Sequence, residues 1–204
     1  MKGKFIVIEG GLGCGKTTQI NLLKNKLKKW KFYREPGSTD FGEKIRDAVQ
    51  GLHNYSVNEY AAFLAYSSSR ANLVRDVIIP ELNRGGNNVV LDRYWFTTYA
   101  YQSIGGVPKK IIREVNKIAT NNLLPDLVIF YDLDPKIGIM RKKDNKDIDR
   151  YDTKEIDFHK KARKNYKELS KVFKNIWVSI DASKSINEIH EETMQILKKR
   201  KILV

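Results

Sequence analysis

The stretch Phe5-Ile6-Val7-Ile8-Glu9-Gly10-Gly11-Leu12-Gly13-Cys14-Gly15-Lys16-Thr17 decides the fold. Phe5–Glu9 is apolar up to its last residue, as a strand buried on both faces requires. Gly10 to Thr17 fits G-x-x-x-x-G-K-[ST] at every fixed position. From Gly15 onward, Ile20, Leu23 and Leu27 form one stripe and predict an amphipathic helix. Strand, glycine loop and helix in this order make a phosphate cradle, a P-loop. Its glycines let backbone N–H groups turn inward around a polyphosphate, and the helix N-terminus adds partial positive charge. Gly10, Gly11, Leu12, Gly13, Cys14, Gly15, Lys16, Thr17 and the adjoining Thr18 are therefore the candidate ATP-binding residues. Lys16 is expected to reach the β- and γ-phosphates, and the Thr17 hydroxyl to bind Mg²⁺. Cys14 reads either as a small residue that fits the turn or as a reactive thiol whose pKa a helix N-terminus lowers.

Outward from the loop, further short apolar runs alternate with helical patterns. Strands are predicted at Phe32–Arg34, Val89–Asp92, Leu127–Asp132 and Trp177–Ile180. Helices are predicted from about Val57 to Arg84, after Asp92-Arg93, from Pro108 to Asn121, on both sides of Arg141–Tyr151, and from Ser185 to about Lys201. Ser56 with Glu59, and Ser185 with Glu188, have capping-box spacing. Pro80 is expected to kink the last turns of the long helix, which Gly85-Gly86 would end. This alternation gives an α/β fold: a three-layer P-loop NTPase with a five-stranded parallel sheet flanked by helices. The chain of 204 residues fits one domain, with the charged stretch Lys142–Asp149 as a short mobile lid over about 141–151.

Composition limits the classes of function. One cysteine excludes a disulfide framework and a four-cysteine zinc site. No apolar run approaches the ~20 residues of a membrane span, and the N-terminal run is too short for a signal peptide, so a cytoplasmic protein is expected. The net charge of +14 favours anionic partners, although many lysines sit on solvated helix faces. No recognition helix, aromatic strand platform or zinc module points to nucleic acid.

A GTPase switch is disfavoured. There is no D-x-x-G anywhere, and Asn145-Lys146-Asp147-Ile148 lacks the final Asp of N-K-x-D. Asp92, at the carboxyl end of a core strand, can hold the Mg²⁺ shell, cap the following helix, or do both. Arg34 and Arg93 follow adjacent strands at the edge where open α/β sheets bind ligands, and two arginines there suit a second phosphate. Tyr66 and Arg70 share a helix face. Spacing alone favours a core aromatic with a surface ion pair. A ring beside a forked donor can also stack on and hydrogen-bond a base. His53, His159 and His190 are scattered and read as surface or structural.

The chain resembles the bacterial-type thymidylate kinases along nearly its whole length. The matching stretches are Ile8-Glu9-Gly10 with the P-loop, Arg34-Glu35-Pro36-Gly37, Gly42-Glu43-Lys44-Ile45-Arg46, Tyr66 to Arg70, Asp92-Arg93-Tyr94, Ala100-Tyr101-Gln102, Pro125-Asp126-Leu127 and Asp149-Arg150-Tyr151. The P-loop is common to many families, whereas R-E-P-G with D-R-Y and a late D-R in a charged loop is far more specific. The resemblance implies phosphoryl transfer from ATP to dTMP, with Mg²⁺, in a homodimer. It implies that Arg34 and Arg93 hold the dTMP phosphate, Tyr66 stacks on thymine, Arg70 bonds thymine O4 and Thr98 meets the base edge. Tyr101 would exclude a ribose 2′-hydroxyl, and Pro36 and Gln102 would complete the substrate site. Arg141, Lys143 and Arg150 would belong to the lid, with Lys16, Arg93, Arg141 and Arg150 catalytic. Asp181-Ala182-Ser183 would lie beside adenine, with Ala182 in contact with ATP. Leu12 departs from the pattern, since the family usually has Asp or Glu there and Leu12 cannot accept a hydrogen bond. The loop also resembles that of deoxynucleoside kinases, a rival that needs a carboxylate base, for which Glu35 is the candidate. A P-loop ATPase without a nucleotide acceptor is the other alternative.

Overall fold

The computed structural model describes residues 3–84, 86–142 and 149–203. In chain order the elements are β1 (Phe5–Gly10), α1 (Lys16–Lys26), β2 (Lys31–Arg34), α2 (Asp40–Gln50), α3 (Glu59–Leu73), a π-helical turn (Val74–Ile78), α4 (Ile79–Arg84), β3 (Val89–Asp92), α5 (Trp95–Gln102), α6 (Lys109–Ala119), β4 (Leu127–Asp132), α7 (Pro135–Lys142), α8 (Ile156–Val172), β5 (Trp177–Asp181) and α9 (Ile186–Lys199). The strands pair in parallel in the order β2-β3-β1-β4-β5, so β1 and its loop are central. Register explains why distant residues meet. Ile8 lies opposite Asp92, and Arg34 is also opposite Asp92. Three carboxyl ends thus reach one edge at one level.

β1 is buried along its whole length because it serves two cores. Phe5 and Val7 pack with residues of α3, α5, α6 and α8, while Ile6 and Ile8 pack with α1 and α9. That alternation is the period of a strand covered on both faces.

The long helix differs from its prediction. It is one α-helix, one wide π turn and one short helix, and the π turn ends just before Pro80. Proline has no N–H for the carbonyl four residues back and its ring crowds that carbonyl, so the distortion falls upstream, in the turn holding Asp76. Asn58, not Ser56, caps α3, its side chain accepting from Ala61 N at 2.9 Å. Glu59 is thereby released from capping and does other work described below. The second capping box forms as expected, with Ser185 N donating to Glu188 at 2.9 Å and Glu188 N donating to Ser185 at 3.3 Å. Helix α2 is an addition to the sequence-based elements. Thr39 caps it, and Phe41, Ile45 and Val49 recur at a four-residue interval.

Candidate active site

The β1–α1 loop forms one wall of a cleft of about 1520 Å³ at the carboxyl edge of the sheet. Gly11, Leu12, Gly13, Cys14, Gly15, Lys16, Thr17 and Thr18 all line it, whereas Gly10 contributes through its carbonyl. Gly13 (φ 64°) and Gly15 (φ 81°) lie in the left-handed region, open to glycine at little cost. A Cβ on Gly13 would meet the Gly138 carbonyl oxygen at 2.2 Å, and one on Gly138 would meet the Leu12 oxygen at 2.1 Å. Helix α7 therefore rests glycine to glycine on the loop, a contact the motif does not announce.

Lys16 Nζ contacts Asp92 Oδ1. Burial alone would raise the Asp92 pKa, but Lys16 and Arg93 hold it below the usual carboxylate range. Asp92 does not cap α5, where Tyr94 occupies the cap position. Cys14 corrects the reactive-thiol reading. It is buried, and burial pushes its thiol up, with the charges of Lys16 and Arg93 offsetting only part of that. Alkylation of the native protein is accordingly expected to be slow, with iodoacetamide labelling Cys14 only on unfolding. Fast stoichiometric labelling of the folded protein, followed by mass spectrometry, would contradict this.

Three arginines converge opposite the loop. Arg93 has φ 68°, a strained backbone for a residue with a Cβ, of the kind that concentrates at functional sites. Its Nη1 donates to the Gly10 carbonyl at 2.9 Å, Thr97 Oγ1 at 3.2 Å and the Tyr166 hydroxyl at 3.4 Å, and its guanidinium lies 5.9 Å from the Tyr101 ring centre. Arg34 lines the cleft and donates to Glu43 at 2.7 Å. Arg46, from α2, also lines it and donates to the Pro36 carbonyl at 3.2 Å. Burial lowers the Arg46 pKa, and so do Arg34 and Arg93, which means the three cations feel one another. Sequence reasoning did not give Arg46 a role because α2 was not recognised. Pro36 lines the same wall.

Behind Arg93 lies Glu9, fully buried. It accepts from Tyr94 N at 2.8 Å, Thr97 Oγ1 at 2.6 Å and the Tyr166 hydroxyl at 3.0 Å. Burial raises its pKa to about 7 from 4.5, despite the opposing pull of Arg93 and these donors. A carboxyl raised on folding binds its proton better in the native state, so it lowers stability as pH climbs through that interval. The shift corresponds to on the order of 3 kcal/mol. Urea unfolding of wild type and Glu9→Gln at pH 4.5 and pH 8 should show the difference moving by roughly that amount in favour of the variant at pH 8. An unchanged difference would contradict the assignment.

The deepest wall is polar. Arg70, expected at the surface by spacing alone, is 1% exposed. It grips Glu35 with two bonds at 2.7 and 2.6 Å, donates to Thr98 at 2.8 Å and also bonds Asn116. Both Glu35 oxygens are thus committed to Arg70, which removes Glu35 as a candidate base. Tyr66, Arg70, Thr98, Tyr101 and Gln102 all line the cleft, and Tyr151 joins them. Tyr101 packs edge-on to Tyr151 at 5.6 Å, and burial pushes its hydroxyl and that of Tyr66 up to about 12. Gln102 donates to the Tyr151 hydroxyl at 2.8 Å and to Glu59 at 3.1 Å.

Arg150, expected over the phosphates, is directed elsewhere. It does not line the cleft and donates to the Val57 carbonyl at 2.8 Å and to Glu59 at 2.6 Å. Glu59 is thus the anchor of the segment carrying Arg150 and Tyr151. Arg141 lines the cleft and donates to the Ala182 carbonyl at 3.0 Å. Ala182 itself is buried and does not reach the cleft, whose wall there consists of Gln19, Lys184, Ser185 and Ile186. Lys143 and Asn145 lie outside the described residues. His159 is buried and lines the cleft, so it is not a surface residue, and burial lowers its pKa.

The sheet order, the loop and the arginine wall together narrow the comparison to phosphotransferases. A profile of the family described as thymidylate kinase matches residues 8–193. The chain belongs to the thymidylate kinase family. A thymidylate kinase of a Thermoanaerobacter species is 39% identical over 204 residues, covering 98% of this chain and 99% of its own. Those of Acholeplasma laidlawii and Thermosipho africanus are 38% and 40% identical, each over 96% of this chain and at least 98% of their own. Full-length similarity of this kind includes α2 and α6, so the thymidylate kinase family relation spans the arginine wall as well as the P-loop.

Proposed function

We propose that the chain transfers the γ-phosphoryl group of ATP to dTMP, giving ADP and dTDP. The observation that carries this reading is the convergence of Arg34, Arg46 and Arg93 with Lys16 in one cleft at the sheet edge. The nucleophile is a phosphate oxygen that is already anionic, so no general base is needed. The difficulty is the repulsion between two phosphate groups, and cations held in place by the fold reduce it while aligning the groups. Lys16 holds the β- and γ-phosphates. Arg93, fixed through Nη1, keeps its other donors for the acceptor phosphate, with Arg34 and Arg46 beside it. Tyr66 stacks on the thymine, Arg70 and Thr98 meet its edge, and Tyr101 excludes a 2′-hydroxyl. Pro36 and Gln102 complete this end of the site. Arg141, which lines the cleft, is the lid cation placed to close over ATP, whereas Arg150 would have to leave Val57 and Glu59 to join it.

A magnesium ion fits the donors. Among the described residues no group of three acidic or histidine side chains makes a cage. The ionised Asp92 and the Thr17 hydroxyl are hard oxygen donors of the kind that bind magnesium together with substrate phosphates and water. When bound, the ion neutralises charge that develops on the phosphates. The chain is read as cytoplasmic, and among the described residues no helix is long and apolar enough to cross a membrane. A homodimer is supported by exposed Tyr60 and Leu64 on α3 and Ile111 and Ile118 on α6.

An ADP-release assay with dTMP, dUMP, dCMP, dGMP and thymidine as acceptors tests the reading. Turnover is expected with dTMP above all others. Preference for thymidine would replace it with a deoxynucleoside kinase, and turnover independent of acceptor with an ATPase.

A further inference from the structure

An arginine presents five N–H donors in a rigid fork. In Arg70 four are taken by protein acceptors. Nε donates to Glu35 Oε2, Nη2 to Glu35 Oε1 and Thr98 Oγ1, and Nη1 to Asn116 Oδ1. Among the described residues, one Nη1 donor has no acceptor, in a residue that lines the cleft. Asn116 is on α6, 2% exposed, and does not itself line the cleft. Its Nδ2 donates to the Ile112 carbonyl at 2.7 Å. Turning the amide over would set its oxygen against that carbonyl and its nitrogen against a cation, so the orientation that offers oxygen to Arg70 is fixed.

We propose that Asn116 is a positioning residue for acceptor-base selection: by occupying one Nη1 hydrogen it leaves Arg70 a single donor, matched to one carbonyl oxygen and repelled by an exocyclic amino group. This rests on the reading of the cleft as a dTMP site. With an apolar side chain at this position, two Nη1 hydrogens in a buried place would lack acceptors. The fork would rotate or admit water. Water accepts from a guanidinium and from an amino group alike, so the selection against cytosine would weaken.

The test measures kcat and KM for dTMP, dCMP and ATP in wild type, Asn116→Leu and Asn116→Asp, with melting temperatures. In Asn116→Leu the dTMP-to-dCMP ratio of kcat/KM is expected to fall by about tenfold or more, since a site built on hydrogen bonds owes its selectivity to them. The change should appear mainly in nucleotide-acceptor KM, with the KM for ATP within about twofold. Asn116→Asp should restore the ratio, because a carboxyl oxygen of nearly the same shape still accepts the Nη1 hydrogen of Arg70. If Asn116→Leu does not fold, Asn116→Ser, which is too short to reach Arg70, is read in the same way. A ratio unchanged in the folded variant, or one lowered equally by Asn116→Asp, overturns the proposal. A wild type that does not use dTMP overturns the underlying reading instead.

Discussion

Lys16→Met is expected to lower kcat by about 10³-fold, with the KM for dTMP within a fewfold of wild type. The side chain is nearly isosteric with lysine, so the loss isolates the charge. Lys16 is the first residue of α1, is 9% exposed and contacts Asp92. It is thus held at the point where a P-loop directs the γ-phosphate, with little of its own surface open to solvent. A fixed cation there stabilises charge in the transition state more than in the ground state, which is why turnover should suffer rather than acceptor binding. Asp92 would lose a partner and its pKa would rise, so the melting temperature must be checked beside the kinetics. A folded variant within tenfold of wild-type kcat would contradict the role.

Arg93→Ala should reduce kcat/KM for dTMP by about 10²–10³-fold, and Arg93→Lys should recover little of it. Arg93 is anchored on the Gly10 carbonyl, Thr97 and Tyr166 by one nitrogen, so the rest of the fork is oriented without help from the substrate. Lysine carries the charge but has no fork to divide between anchor and ligand. A second consequence separates this account from simple misfolding. Arg93 opposes the burial of Glu9, so its removal should drive the Glu9 pKa above the present value of about 7. The Glu9 contribution to the pH dependence of unfolding should shift upward in Arg93→Ala and be lost in the double variant with Glu9→Gln. Recovery of near-wild-type kcat/KM by lysine, or a pH profile that does not move, would contradict the argument.

The two glycine-rich and arginine-bearing loops were legible because their chemistry is local. The cradle is one continuous segment, and the strands around it are short apolar runs with Val89–Asp92 and Leu127–Asp132 at their predicted bounds. What escaped depends on contacts between segments far apart in the chain. Helix α2 contains Gly42, which reads as a breaker, and with that helix went Arg46. Its signal was present in the Thr39 cap and the spacing of Phe41, Ile45 and Val49. Glu59 read as a capping residue because Ser56 stands three residues before it, yet Asn58 takes the cap and Glu59 holds Arg150. Asn116 and Gly138 carry no motif at all. One matters through a guanidinium 46 positions away, the other through a backbone oxygen of the P-loop. Burial also decided between the two readings of Cys14, in favour of a small residue that fits the turn, and made Arg70 a core residue where spacing suggested a surface pair.

The most direct measurement of the central claim is a crystal structure with dTMP and a non-hydrolysable ATP analogue bound together. The dTMP phosphate is expected at charge-assisted hydrogen-bond distance, roughly 2.7–2.9 Å, from nitrogens of Arg93 and of Arg34 or Arg46, with the γ-phosphate on Lys16 and facing it. A dTMP phosphate bound away from all three arginines, or turned from the γ-phosphate, would contradict it.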